Sequence, residues 1–253
     1  MLSYDQYKNI FYWLYVVEYA NFNSQEAYNA TLTDEGYRQG GLGNGITNMG
    51  NWNEYNGTYP LTPCGYGNTL GNKTGVLDLI IPEFTYGTAS TVRASQTLSM
   101  PRWRGFDNPF GDIWTNLDGI VIDTPLAGKS DPSIQPTCYI ITDPDNYTDS
   151  LSGIEEKADR SYKQAHNDGY TKEWHLGSSA DIIPKAVGGN TTQYMCDYYW
   201  VNYDDTPETL FVGGYASTGA SAGLGAFHSN GDVGASNTGI GFRSVSAFVV
   251  VGA

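Results

Sequence analysis

The sequence predicts an α+β fold. Three observations carry this: an N-terminal run with a helical period, a series of short β-rich runs, and long Gly- and Asn-rich stretches that carry aromatic residues between them. From about Ser3 to Asn29, Tyr4, Tyr7, Ile10, Phe11, Leu14 and Val17 recur at spacings of three and four, the stripe that one buried helix face requires. This is the one long helix expected. Thr33 to Gly75 is rich in Gly, Asn and Thr and holds Trp52, Tyr55 and Tyr59. No helical period fits it, so a packed loop pinned to the core by its aromatics is expected.

Strand-like runs come next, at Val76–Ile81, Thr97–Trp103, Gly119–Asp123, Thr137–Thr142, Gln193–Trp200, Thr209–Val212 and Gly239–Val251. Each is β-branched or aromatic and is bounded by Gly, Pro, Asn or Asp. The strands are expected to be short, antiparallel and concentrated after residue 190. The charged stretch from Asp143 to Ser179, with Asp149, Glu155, Glu156, Lys157, Asp159 and Arg160, reads as a solvated excursion with room for a short helix.

No linker or internal repeat divides the 253 residues, so a single domain over 1–253 is expected. With 31 Gly, 20 Tyr and 6 Trp, its folding must rest on aromatic burial. A formal charge of -14 repels phosphate backbones, which argues against nucleic acid as a partner. The opening residues lack a basic region followed by an apolar run, and no segment approaches the ~20 apolar residues of a bilayer span, so neither an export leader nor membrane insertion is expected. Cys64, Cys138 and Cys196 are odd in number and widely separated, as buried free thiols would be.

Several patterns touch on catalysis and fall short of it. Gly219-Ala220-Ser221-Ala222-Gly223 matches the nucleophile elbow of α/β-hydrolases, but the residues after Ser221 lack the helical period that the elbow needs. His228 lies too close in sequence to supply the base from a separate loop, and no acid stands between them in the required order. Gly128-Lys129-Ser130 ends like a phosphate-binding loop whose first glycine is replaced by Asp123. Asp143-Pro144-Asp145-Asn146 begins like a calcium loop, yet Thr148 stands where the turn glycine belongs, so a plain turn is expected. His166, His175 and His228 are too far apart for a metal spacing, and His166 and His175 read as polar surface residues. No cofactor and no metal are expected.

Two aromatic motifs remain. One is Trp103-Arg104-Gly105 with Asn108-Pro109-Phe110-Gly111, Trp114 and Asp118-Gly119, which places Trp103 and Trp114 in a core. The other is Gly213-Gly214, Ala222-Gly223-Leu224 and Ile240-Gly241-Phe242-Arg243. Together they resemble the C-type-lectin-like domain shared by formylglycine-generating-enzyme relatives and by the variable proteins of diversity-generating retroelements. Glu18-Tyr19-Ala20 falls where such domains carry a helix. Within that branch, Gly36-Tyr37-Arg38-Gln39-Gly40-Gly41-Leu42-Gly43 and Pro63-Cys64-Gly65-Tyr66 are similar to versions from phages and prophages of gut Bacteroides-type bacteria.

The resemblance implies a C-type-lectin-like fold with extensive packed loops and a display surface in residues 213–243. The family's catalytic members carry a cysteine pair after the Gly-Gly motif; Tyr215 to His228 has none, so oxidase chemistry is not implied. Retroelement variable proteins diversify this segment at Asn codons. The frame then implies ligand-binding positions at Tyr215, Ser217, Thr218, Ser221, His228, Asn230, Gly231, Ala235, Asn237 and Gly239. Surface loops favour the same residue types, and that plainer reading stands beside it. Physically, Val212, Leu224, Phe227, Ile240 and Phe242 read as anchors alternating with small or polar residues, as in strands with one packed and one solvated face.

The function that this resemblance implies is that of a non-enzymatic adhesin at a phage tail or fibre tip or, alternatively, on the bacterial cell surface. It would be a monomer or homotrimer, bind a bacterial surface protein or glycan, and have other virion proteins as further partners. A structural fibre or virion-decoration domain is the alternative. A fibre-borne glycan hydrolase ranks behind both, because nothing singles out a carboxylate pair among 27 acids.

Overall fold

Ser3 opens the helix that the period predicts: its hydroxyl accepts from the Gln6 N–H while the Gln6 side chain accepts from the Ser3 N–H, a capping box. The computed structural model describes residues 1–24, 66–81, 83–86, 91–93, 95–107, 109, 113–214, 218–235 and 240–241. In it the helix runs on through Tyr4–Gln6, a π-helical segment Tyr7–Trp13, and Leu14–Tyr19. The wider π turns rotate the stripe. Tyr4, Tyr7, Lys8, Phe11, Tyr12, Tyr15 and Val16 are buried, whereas Leu14 and Val17, expected on the inner face, are 40% and 75% exposed. The helix also stops earlier than Asn29, at Tyr19, with Ala20 left-handed at its end; residues 25–29 lie outside the described residues.

The rotation turns Lys8 inward. Its ammonium meets Asp181 at 3.0 Å, Asp5 at 2.9 Å and the Ser179 carbonyl at 2.8 Å. Arg160 forks onto the same Asp181 at 2.7 and 2.9 Å, and the Tyr162 hydroxyl donates to it at 2.9 Å. Burial alone would raise the Asp181 pKa, but the bonds from Arg160, Lys8 and Tyr162 outweigh it and hold the carboxylate below its usual range. One carboxylate thus ties the helix to a loop and a strand far along the chain.

The chain is mixed α+β and mostly strand. Its strands are β1 (Gly75–Ile81), β2 (Phe84–Tyr86), β3 (Thr91–Arg93), β4 (Gln96–Trp103), β5 (Phe106–Asp107), β6 (Trp114–Asn116), β7 (Ile120–Asp123), β8 (Thr137–Ile140), β9 (Arg160–Lys163), β10 (Gly169–His175), β11 (Ile183–Val187), β12 (Tyr198–Val201), β13 (Pro207–Gly213), β14 (Gly223–Asp232) and β15 (Ile240–Gly241). A ten-stranded sheet runs β11-β10-β12-β14-β13-β7-β8-β9, with β6 added beside β13 and β15 beside β6. The pairings β12–β14 and β6–β15 are parallel, which departs from the expected all-antiparallel arrangement.

Strands are not concentrated after residue 190. The stretch from 143 to 179 is no mere excursion, because β9 and β10 lie in it and the short helix Ile154–Lys157 precedes them. Its charges misled because β9 alternates half-buried and exposed residues at a sheet edge, and because Arg160 is consumed by Asp181. The run expected at Gln193–Trp200 contracts to β12, since Tyr194 and Cys196 both adopt positive φ. Of the run from Gly239, Ile240 and Gly241 form β15, and 242–251 lie outside the described residues.

The sheet nearly closes on itself. At its two ends the Ala165 N–H, just past β9, donates to Pro184 O on β11 at 2.8 Å, and the His175 ring lies 2.8 Å from Lys163 O. Inside pack Ile120, Ile122, Cys138, Ile140, Trp174, Tyr199, Leu210, Val212 and Phe227 with the aromatic stripe of the helix. Polar tips in this core are satisfied across layers: Tyr7 donates to Leu224 O, Trp174 to the Tyr12 hydroxyl, and Ile182 N–H to the Tyr4 hydroxyl. Trp103 sits in the same core, fully buried. Arg104 and Gly105 behind it are both left-handed and close the β4–β5 hairpin, and Trp103 and Arg104 both donate to Glu18 on the helix.

Asp181→Ala removes the buried carboxylate that Lys8 and Arg160 share and leaves the buried Lys8 with Asp5 alone, a change that costs about 3 kcal/mol or more. Thermal unfolding of this variant is expected to fall by roughly 6–12 °C.

Candidate functional site

Strand β14 is the middle of the sheet, and one row crosses it in register: Trp200 on β12 stands opposite His228, and His228 opposite Phe211 on β13. Neighbouring partners lie on the same side. Tyr198 is two residues before Trp200 and pairs with Tyr170 on β10, while Trp114 on β6 lies beyond Phe211. Because side chains alternate across a strand, this face is the reverse of the one carrying Tyr199, Phe227, Leu210 and Val212 into the core. The result is an aromatic row on the outer face. Ring centroids are 5.0 Å apart for Tyr170–Tyr198, 4.7 Å for Tyr198–Trp200 and 5.3 Å for Trp114–Trp200. Tyr170, Tyr198 and Trp200 are half-buried, whereas Trp114 packs with Phe211 and Ala226.

His228 sits in the middle of this row, 4.9 Å from Trp114, 5.6 Å from Trp200 and 5.9 Å from Phe211, ring centre to ring centre. Burial among these rings pushes its pKa down to about 4, so it is a neutral imidazole at pH 7. Its Nδ1 is buried and has no hydrogen-bond partner among the described residues.

The positions implied by the display frame divide on this geometry. Ser221 lies at one end of the row, where its hydroxyl is 3.1 Å from that of Tyr170. Thr218 is half-buried beside it and accepts from the Ser221 N–H. Asn230 and Ala235 are exposed. Gly231 is buried, and a Cβ there would strike the Phe211 ring, so it makes room for an aromatic instead of offering a contact. A bulge puts it there: between the pairs Thr209–Gly231 and Phe211–His228, β14 has one residue more than β13. Tyr215, Ser217, Asn237 and Gly239 lie outside the described residues.

The expected anchors Val212, Leu224 and Phe227 are buried in the core, and Ile240 packs half-buried against Trp114 and Phe211; Phe242 lies outside the described residues. Gly213 and Gly214 both adopt positive φ as the chain leaves β13, a path that suits glycine alone. The serine-elbow pattern spans a single 3-10 turn, Gly219–Ser221, and leads into strand β14 where the elbow requires a helix. Asp143 accepts from the Asp145 N–H in a tight turn, as expected. His166 and His175 are less free than expected: each bonds a backbone carbonyl and stacks near a tyrosine. Among the described residues no group of three His, Cys, Asp or Glu side chains is placed to hold a metal ion.

The back of β14 is held by Asp197. Gly225 N–H donates to its Oδ2 at 2.7 Å, and a Cβ at either Gly223 or Gly225 would collide with its carboxyl. Complete burial raises the Asp197 pKa well above its usual value, against the pull of the Gly225 bond. A second buried carboxyl, Glu208 at the start of β13, is pushed up to about 8 by burial and by Asp204, and its Oε2 has no hydrogen-bond partner among the described residues.

Beyond Phe211 the outer face runs into a cleft of about 360 Å³ lined by Asn116, Asp118, Tyr147, Asp149, Thr209 and Val233 among others. Sequence reasoning missed this cleft and the row. The alternation in Tyr198-Tyr199-Trp200 was a usable signal for two of the aromatics, whereas β10 and the crossing of distant strands left no mark in the sequence. Compared with known proteins, the chain matches no family model, no curated protein and no solved structure.

The His228 shift has a definite sign. The folded pKa of about 4 lies below the usual 6.5, so the neutral cage contributes stability fully above pH 6.5, and this is lost as pH falls through 4. The melting temperature of the native protein is expected to decline over that window, and His228→Gln should flatten the decline.

Proposed function

We propose that this chain is a non-enzymatic binding protein, a phage adhesin of the C-type-lectin-like kind found among retroelement variable proteins, displaying its segment 213–243 to a bacterial surface protein or glycan. The observation that carries this reading is the outer aromatic row with His228 at its centre. Half-buried Tyr and Trp side chains are costly to leave at a surface without purpose, and they are the residue types that dominate binding hot spots.

The face fits the division of labour of antibody-like paratopes. Tyr and Trp give rigid contact area at low entropy cost, while Thr218, Ser221 and Asn230 give adaptable hydrogen bonding at its margin. Phe227, Leu224 and Val212 fill the core on the opposite side of the sheet, while Trp200 packs against the buried Trp114, Phe211 and Ala226.

Replacing Tyr215, Ser217, Thr218, Ser221 and His228 together by alanine is expected to abolish adhesion to a panel of gut Bacteroides-type bacteria without unfolding the protein. Cell binding by the purified chain, with circular dichroism as the folding control, reads this out. Unchanged adhesion would overturn the assignment of the surface. The diversification part of the reading expects a near-copy of the segment encoding 213–243 beside a reverse transcriptase gene, which sequencing of the flanking DNA checks.

A further inference from the structure

The turn from β12 into β13 carries oxygen on every second side chain: Asn202, Asp204, Thr206 and Glu208. It is docked on the sheet, because Thr124 O, just past β7, accepts from the Asp204 and Asp205 N–H groups at 3.1 and 3.2 Å. Asp205 adopts positive φ, and its carboxylate turns away to the Leu126 N–H. The other four side chains stay together. Asn202 Nδ2 donates to Asp204 Oδ2 at 3.3 Å, the Thr206 N–H donates to Asp204 Oδ1 at 3.0 Å, and the Thr206 hydroxyl lies 2.7 Å from Asp204 Oδ1 and 3.2 Å from Glu208 Oε1.

This group is short of positive charge. A threonine hydroxyl has one proton and its shorter contact is to Asp204, so it cannot also supply Glu208. Glu208 is 1% exposed, and its Oε2 has no hydrogen-bond partner among the described residues. What faces it is negative or apolar: Asp204 from the turn, Asp232 across the ladder on β14, and on β7 Ile122 opposite with Asp123 beside it. Among the described residues no lysine or arginine forms an ion pair with Asp204, Glu208 or Asp232. A buried carboxyl so placed must hold either a proton or a cation.

We propose that Asn202, Asp204, Thr206 and Glu208 form a site for one hard divalent cation of the calcium type. Two carboxylates, a hydroxyl and an amide oxygen are ligands of that class, and backbone carbonyls or waters complete the roughly six to eight oxygens it takes. The set contains no soft ligand, and it is not a centre of three His, Cys, Asp or Glu side chains, which the described residues do not form. Asn202 serves once its amide turns its oxygen inward, and Glu208 once its proton leaves to solvent. The strands that this turn joins flank β14 on either side, so a cation here ties together the supports of Trp200 and Phe211.

The test uses the full chain stripped with a chelator, titrated with calcium chloride by calorimetry at about pH 7 and about pH 8.5, and melted with and without calcium at fixed ionic strength. One calcium per chain is expected, with a higher melting temperature and a proton released near pH 7. Affinity should be several-fold tighter at the higher pH, because the Glu208 carboxyl, held up to about 8, must ionise to bind. Glu208→Gln keeps the shape and removes the buried acid; it is expected to weaken calcium binding by about a hundredfold or more while the calcium-free melting temperature stays level or rises. Asp204→Asn reads the same loss should Glu208→Gln fail to fold. Weak binding shared equally by the native chain and the variant is what a charge of -14 gathers at any surface, and it overturns the site. No calcium binding by the native chain, or magnesium held more tightly than calcium, overturns it as well.

Discussion

The outer face depends on how closely β14 is held from behind. Gly223 and Gly225 have no side chains, and into the space they leave come the Asp197 carboxyl, the Tyr12 ring and Trp174. The bond from Gly225 N–H to Asp197 fixes the strand at this approach, while Asp197 O accepts from the Thr171 N–H and so joins β14 to β10. A Cβ at either glycine would push β14 off this support. Since β14 sets the register of both β12 and β13, the row Trp200–His228–Phe211 exists only while that contact is tight.

This arrangement separates two duties along one strand. Residues 224 and 227 and the strands beside them supply the apolar burial that holds the fold, and 228 and 230 meet the other side. The bulge adds an exception, bringing Gly231 back under Phe211. Burial raises the pKa of both Asp197 and Glu208, whereas the buried Asp181 is held below its usual range by Arg160, Lys8 and Tyr162.

Much of the class of the fold was legible in the sequence. The helix was marked by its three-and-four spacing, and β1, β4, β7, β8 and β13 by apolar or β-branched runs between turn residues. What misled was local and physical. The π segment shifted the helical phase by rotating Lys8 inward, and a period of three and four assumes a uniform helix. β9 and β10 escaped notice because strands bearing Arg160, Lys163 and Glu173 have the composition of a solvated loop. Of the site, His228, Ser221 and Thr218 were placed near one another by their closeness in sequence. Tyr170, Tyr198, Trp200 and Trp114 were not, since only the pairing of strands far apart in the chain brings them to one face.

The near-closure of the sheet bears on how the molecule moves. Among the described residues its seam, between β9 and β11, is bridged by one backbone bond at Ala165 and by side chains converging on Asp181, whereas every other junction is a ladder. Opening fluctuations start where fewest backbone bonds must break. In the strand order, β14 and β13 lie midway between the two seam strands. The molecule can therefore breathe at the seam while the rings of the outer face keep their spacing; on the binding reading proposed above, a ligand would meet a surface already in its bound shape, with little ordering entropy spent on capture.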